Sequence, residues 1–247
     1  HTATKFTNKV EAQIIYDTFV FATEWSGTVC RVQKCNPSRP VETAWFNIHG
    51  LWPNNWTNSS ASPQDCTTTP LNYDSLPQSL QQDLWTYWNS LYNTEQGFLD
   101  HEWSKHGTCW IPSLLPPKSS IANMPATIQP IVQQAVTTYA AGKVDPQYYL
   151  STAIALSKLY NAVNILAAAS ITPSNSKTYA LADVQSAYQA ALGVKNFAVY
   201  CAKSATGFSM ISEIRVCLSL TYQPMDCEKM IVNCAQQVLL PTDTNFD

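Results

Sequence analysis

Eight cysteines, at positions 30, 35, 66, 109, 201, 217, 227 and 234, constrain this chain more than any other feature of its sequence. Neighbouring spacings of five, ten and seven residues occur, no Cys-x-x-Cys pair is present, and only four histidines accompany them. Zinc knuckles call for tighter pairs, so the set is read as disulfides and the site residues include no metal ligands. Eight cysteines allow about 105 connectivities, and spacing alone does not choose among them. Such a framework implies an oxidising compartment: secreted or extracellular, with a lysosome or vacuole as the alternative.

The 247 residues suffice for a large core, and hydrophobic residues at 45% with aromatics at 11% supply the material. Nothing reads as a linker, and a single domain spanning 1–247 is expected. With 14 basic against 17 acidic side chains, the formal net charge of −3 offers no general attraction to a polyanion. That argues against a protein that coats nucleic acid, but a cleft holding one or two phosphates needs only a few local cations. The chain opens on His1 without an apolar leader and holds no run approaching a membrane span. It is read as a mature, soluble chain with its signal removed and no membrane partner. Asn55-Trp56-Thr57 and Asn58-Ser59-Ser60 are glycosylation acceptor triplets in a polar stretch.

Aromatic and β-branched residues over 12–23 and 44–48 predict core strands. A Pro-, Asn- and Ser-rich stretch over 53–75 predicts a long surface loop. Leu80, Leu84, Trp88 and Leu91 recur at helical spacing and predict a helix over 76–92. Helices are also expected over 127–141, 151–169 and 183–192, the last closed by Gly193 in a left-handed cap. Segments 197–202 and 211–220 read as late strands, each with a cysteine. Strands and helices mix without a regular repeat, so the fold class is α+β.

Three of the four histidines fall in two aromatic-rich segments, Phe46-Asn47-Ile48-His49-Gly50-Leu51-Trp52-Pro53 and His101-Glu102-Trp103-Ser104-Lys105-His106-Gly107-Thr108-Cys109. On a helix Glu102 and His106, four apart, share one face, and His101 and Lys105 share another. A His-Glu-x-x-His zinc motif fails, because Lys105 stands four after His101. What remains is an acid, a base, a cation and a carboxylate, which suits a transesterification whose nucleophile belongs to the substrate. RNA supplies such a nucleophile in its 2′-hydroxyl. One neutral imidazole can take that proton while a second, protonated, gives one to the departing 5′-oxygen. Lys105 can stabilise the charge gathering on the phosphorus oxygens.

Both segments resemble the two catalytic motifs of the ribonuclease T2 family, spelled here Ile48-His49-Gly50-Leu51-Trp52-Pro53 and His101-Glu102-Trp103-Ser104-Lys105-His106-Gly107. The similarity covers most of the chain, with early strands, intervening helix and late cysteine-bearing strands in the family's order. It implies a central, mostly antiparallel sheet flanked by helices, no cofactor, and single-stranded RNA as the partner of a monomer. By resemblance His106 is the base, His49 the acid, Glu102 and Lys105 flank the phosphate, and His101 binds phosphate. Spacing does not decide which histidine is acid and which base.

The resemblance also implies two base pockets, with Trp52 stacking in one and Asn89, Leu91 and Phe98 around the other. Asn54 stands where some relatives carry aspartate, and Glu24 where some carry glutamine, so base preference does not transfer. The disulfides implied are Cys30–Cys35, Cys66–Cys109, Cys201–Cys234 and Cys217–Cys227. The activity implied is cleavage of RNA to 2′,3′-cyclic phosphates and then 3′-phosphates, with a mildly acidic optimum. The rivals are a secreted binding or signalling protein, in which cleavage is incidental, and a zinc hydrolase.

Overall fold

The protein is described here from a computed structural model covering residues 16–35, 46–91, 94–111 and 118–242. Residues 12–15, 44, 45, 92 and 112–117, which carry parts of the expected strands, helix and proline-rich stretch, lie outside the described residues.

In chain order the elements are β1 (Thr18–Trp25), α1 (Ser26–Val32), β2 (Phe46–Asn54), α2 (Gln78–Tyr87), α3 (Glu95–Lys105), α4 (Lys118–Ile121), α5 (Gln129–Ala140), α6 (Pro146–Leu159) and α7 (Ala162–Ala168). They continue with β3 (Thr178–Ala180), α8 (Leu181–Leu192), β4 (Ala198–Lys203), β5 (Ser209–Ser219), β6 (Pro224–Met225), β7 (Ile231–Val232) and β8 (Gln237–Leu239). One sheet runs β2-β1-β5-β4-β7, with β3, β6 and β8 attached beside it. Its long pairings are antiparallel, and among the described residues only β4 with β7 and β5 with β8 are parallel. The fold is α+β, a central sheet flanked by helices.

Successive side chains of a strand point to opposite faces, and β1 is sorted accordingly. Phe19 and Phe21 join Ile48, Leu51, Val216 and Leu218 in one core with Leu84, Trp88, Leu99, Trp103, Tyr149 and Leu156 from the helices. The Tyr149 hydroxyl donates to the Leu51 carbonyl at 2.8 Å, which seats α6 against β2. Val20, Ala22 and Glu24 take the opposite face. In register with them stand Asn47, Gly50 and Trp52 of β2, then Glu213, Arg215 and Cys217 of β5, while Asn54 pairs with Thr18 at the strand's start. The sheet therefore keeps a polar and aromatic face that the helices do not fill.

One irregularity positions the site. Ala22 pairs with Gly50 and Thr23 with Ile48, so His49 is the extra residue of a β-bulge. A bulge re-aims a side chain without disturbing the ladder on either side. Here it sends Ile48 into the core and frees His49 from strict alternation.

Several boundaries differ from those expected. Strand β2 continues to Asn54, and the segment after it holds two short 3-10 turns, Ser59–Ala61 and Tyr73–Ser75, with Leu71 buried. Helix α2 ends at Tyr87, because Trp88 leaves helical geometry and buries fully, its indole N–H donating to the His49 carbonyl at 3.2 Å. The helix expected over 151–169 is two helices. The Asp145 side chain caps the N-terminus of α6, and the Asn161 side chain caps α7 by accepting the Asn164 amide at 3.0 Å. A capping asparagine offers the backbone an alternative to continuing the helix. Helix α8 closes on Gly193 at φ 73°, the left-handed position glycine tolerates best. Helix α1 and the short strands β3, β6, β7 and β8 lack a periodic signal long enough to announce them.

The disulfides are Cys30–Cys35, Cys66–Cys109, Cys201–Cys234 and Cys217–Cys227, the four pairings that the resemblance implies. Cys66–Cys109 ties the loop after β2 to the turn that follows α3, and the Asp65 amide donates to the Lys105 carbonyl beside it.

Candidate active site

The two motif segments meet at Trp52. Its ring lies 5.1 Å from the His49 imidazole, edge-on, and 5.4 Å from that of His106. Its indole N–H donates to Glu102 Oε2 at 2.9 Å. Glu102 is buried on α3, a helix begun by the Thr94 side chain accepting the Gly97 amide. His106 follows as the C-cap, its amide still bonded to the Glu102 carbonyl at 3.1 Å, so the two stay close to one helical face. Two imidazoles from distant parts of the chain thus flank one indole, with a carboxylate fixed against it.

The environments of the two histidines differ in sign. Burial lowers the pKa of His49, but a 2.7 Å hydrogen bond from Nδ1 to Glu213 Oε2 and the charges of Glu24, Glu213 and Glu102 outweigh it. The result is a pKa raised to about 9. At His106 burial, then the cations Lys105, His101 and His49, all act downward and bring it to about 3. At neutral pH His49 is an imidazolium and His106 a neutral imidazole. Burial raises Glu102 against the Trp52 hydrogen bond and the nearby charges of His49 and Lys105. Lys105 is half-buried and forms no ion pair among the described residues, while His101 is exposed on the outer side of α3.

The remaining expected residues divide. Glu24 and Phe98 lie near His49, and Asn47, not among the expected residues, links Glu24 to Asn89. Asn47 Nδ2 donates to the Asn89 carbonyl at 2.8 Å, and weakly to Glu24 Oε1 at 3.4 Å. Its Oδ1 accepts the Asn89 amide at 3.1 Å. Asn89 Oδ1 is buried and meets no donor among the described residues, an acceptor left open. The Phe98 ring lies 6.4 Å from that of His49, inclined by 30°. Burial, with the charge of Glu213, raises Glu24 to about 7 against the pull of His49 and Asn47. Leu91 packs in a separate small cluster with Val29 and Cys35.

On the other side of His106 a cleft of about 420 Å³ is lined by Trp52, Asn54, Trp56, Tyr200, Arg215 and Lys229, among others. Asn54 is held there by Ser62, whose hydroxyl donates to its Oδ1 at 2.9 Å. One face of Trp52 is taken, because the Arg215 guanidinium lies 4.9 Å from its ring centre. A base can therefore stack only on what that cation leaves open. Of the acceptor asparagines Asn58 is exposed, whereas Asn55 is half-buried and accepts the Asn58 amide.

Asn47, Tyr200, Glu213 and Arg215 belong to this site but to neither motif's charged set. Glu213 and Arg215 are the charged residues of the strand segment Ser212-Glu213-Ile214-Arg215-Val216, in a chain with only 13% charged residues. That pair was the available signal. Among the described residues the group able to offer a metal three ligands is Glu24, His49 and Glu213, with ligand atoms within 4.8 Å of one another. An ion there would take the His49 lone pair that otherwise carries a proton.

Similarity to known proteins agrees first on a class, the ribonucleases. Ribonuclease Oy of Magallana gigas is 28% identical over 87% of this chain and 89% of its own, and ribonuclease Trv of Hypocrea rufa is 30% identical over 70% and 68%. An RNase-related protein from Calystegia sepium, 26% identical, superposes with a TM-score of 0.67 over 93% of this chain and 98% of that one. More narrowly, the chain belongs to the ribonuclease T2 family, whose model matches residues 16–227. Ribonuclease chemistry through a 2′,3′-cyclic phosphate is the activity this membership supports.

Proposed function

We propose that this chain is a metal-independent endoribonuclease acting on single-stranded RNA as a monomeric, single-domain protein. His106 takes the 2′-hydroxyl proton, the 2′-oxygen attacks phosphorus, and the bond from phosphorus to the 5′-oxygen breaks as His49 protonates that oxygen. The products are a 2′,3′-cyclic phosphate and a free 5′-hydroxyl. In the slower second step His49, now neutral, takes a proton from water as the water oxygen attacks phosphorus, and the bond from phosphorus to the 2′-oxygen breaks as His106 returns its proton to that oxygen, leaving a 3′-phosphate. Glu102 and Lys105 hold the phosphate, Lys105 stabilising the charge its oxygens gain, with His101 at the outer edge.

The observation that carries this reading is the opposite electrostatic bias of the two imidazoles around Trp52. It favours His49 as the acid and His106 as the base. Midway between their pKa values, at about pH 6, both stand in the required form, hence a mildly acidic optimum. Glu24, Asn89 and Phe98 form the base pocket on the His49 side, and Trp52 and Asn54 the one on the His106 side. Ligand binding by a relative of the same fold, RNase NT solved with 5′-AMP, is compatible with a nucleotide in such a cleft. Four disulfides favour a secreted or vacuolar address, with Asn58 the better exposed of the two glycan acceptors.

The test is cleavage of single-stranded RNA and of dinucleoside phosphates by wild type, His49→Ala and His106→Ala in excess EDTA. Each variant is expected to lose about a hundredfold to ten-thousandfold, the usual contribution of acid–base catalysis. Wild-type rates in both variants, or loss of wild-type activity in EDTA, would sink the assignment. A binding or signalling role would instead survive both substitutions in a cell-response assay.

A further inference from the structure

We propose that Glu213 of β5 is the positioning residue of the acid, holding the His49 proton on Nδ1 so that only Nε2 exchanges a proton with the substrate. The inference rests on the ribonuclease reading and deepens it.

His49 and Glu213 stand on strands that do not pair. Between β2 and β5 runs β1, with Ala22 opposite Gly50 and Arg215, and Glu24 opposite Asn47 and Glu213. The bulge at His49 lets its ring reach across β1 to meet Glu213 Oε2 at 2.7 Å. The second carboxylate oxygen is not idle, for Glu213 Oε1 accepts the Arg215 Nε–H. Arg215 is itself clamped, its guanidinium lying 4.9 Å from the Trp52 ring centre and 4.7 Å from that of Tyr200. Glu213 is thus held at both oxygens and has a side chain only 12% exposed.

A neutral imidazole carries one N–H, and the nitrogen that keeps it is set by the hydrogen bond it makes. A carboxylate facing Nδ1 accepts and cannot donate, so Nδ1 keeps its proton in both charge states of the ring. Deprotonation then occurs at Nε2, the nitrogen left for the departing 5′-oxygen, and the same nitrogen is reprotonated in the second step. Glu24 of β1 and Glu102 of α3 also raise the pKa of the ring when ionised, Arg215 acts on Glu213 rather than on the ring, and His106 nearby is neutral above about pH 3. Glu213, bonded directly to the imidazole, acts on the tautomer as well as on the charge.

Two variants separate those effects. Glu213→Gln keeps an acceptor for Nδ1–H but removes the charge, and Glu213→Leu removes both. For Glu213→Gln the alkaline limb of the kcat profile is expected to move down by at least about one pH unit, with the acid limb unmoved and kcat at pH 5 lowered less than in Glu213→Leu, because the Gln amide can accept from Nδ1–H but can also turn to donate to it. For Glu213→Leu kcat at pH 5 is expected to fall at least about tenfold below that of Glu213→Gln, because the ring loses its tautomer and aim. Nitrogen-15 NMR of His49 in the wild-type protein reads the tautomer without any substitution and does not require the variants to fold. Nδ1 protonated above the alkaline limb supports the proposal. A neutral ring protonated at Nε2, or an alkaline limb that moves in neither variant when folded, overturns it. A wild type that cleaves no RNA would refute the ribonuclease reading, while the NMR result would still judge Glu213.

Discussion

Replacing Gly50 with alanine adds one methyl group at the most crowded point of the site. Gly50 follows the bulged His49 and pairs with Ala22. Its backbone does not require a left-handed conformation, so the effect is one of space. A Cβ there would overlap the Trp52 indole nitrogen and lie 2.5 Å from Glu102 Oε2. Those two atoms make the 2.9 Å hydrogen bond that orients Glu102, and the Trp52 ring is boxed in by Arg215 and His106. The methyl can be admitted only by separating indole from carboxylate. A hydrogen bond to a charged group is worth roughly 1.5–3 kcal/mol. At about 1.4 kcal/mol per tenfold, kcat/KM should fall by about ten- to a hundredfold. Steady-state cleavage of a dinucleoside phosphate measures the loss, with circular dichroism to establish that the variant folds. Gly27→Ala is the control. Its Cβ would sit 2.5 Å from the Pro241 carbonyl oxygen and 2.6 Å from the Trp25 indole nitrogen, a pair that bond to one another and lie outside the catalytic group. That variant should melt earlier yet keep wild-type kcat/KM while folded. A folded Gly50→Ala protein with wild-type kcat/KM would show that Trp52 does not govern Glu102.

The kcat/KM profile of the wild type should be a broad bell, rising as His106 loses its proton at about pH 3 and falling as His49 loses its own at about pH 9. Stability should follow the same groups. A His49 pKa raised above 6.5 contributes stability fully present below that value and lost as pH rises through 9, whereas the lowered His106 contribution is lost as pH falls from 6.5 toward 3. Melting temperatures across that range check both signs, and a maximum lying outside it would contradict them. Removing Cys66 and Cys109 together opens a loop with a sequence separation of 43, worth about 4 kcal/mol by chain entropy. The double serine variant should therefore melt roughly 8–16 °C lower. Removing Cys30–Cys35, with a separation of 5, should cost about half as much in free energy. Equal losses in the two variants would point to strain or residual structure rather than loop entropy.

Local signals carried much of this protein. Eight cysteines without metal spacing, strand-like runs around Phe19, Phe21 and Val216, and helical spacing at Leu80 and Leu84 are properties of neighbouring residues and need no knowledge of the fold. The two histidine segments announced acid–base chemistry because few other ionisable residues compete with them. Element ends were less legible. Trp88 abandons its helix to fill the core, and the Asn161 cap divides a stretch that periodicity alone reads as continuous.

What only the tertiary structure decided is the electrostatic setting of each imidazole, on which the proposed assignment of acid and base rests. Both histidines are the same residue type, and their difference arises at His106 from burial and its sequence neighbour Lys105, and at His49 from Glu213 and Glu24, which the sheet brings beside it. Glu213 lies 164 residues from His49, and its approach depends on a bulge visible only in the pairing of β1 with β2. A linear chain specifies which groups exist. Electrostatic bias depends on distances between them, and those are set when strands far apart in sequence become neighbours.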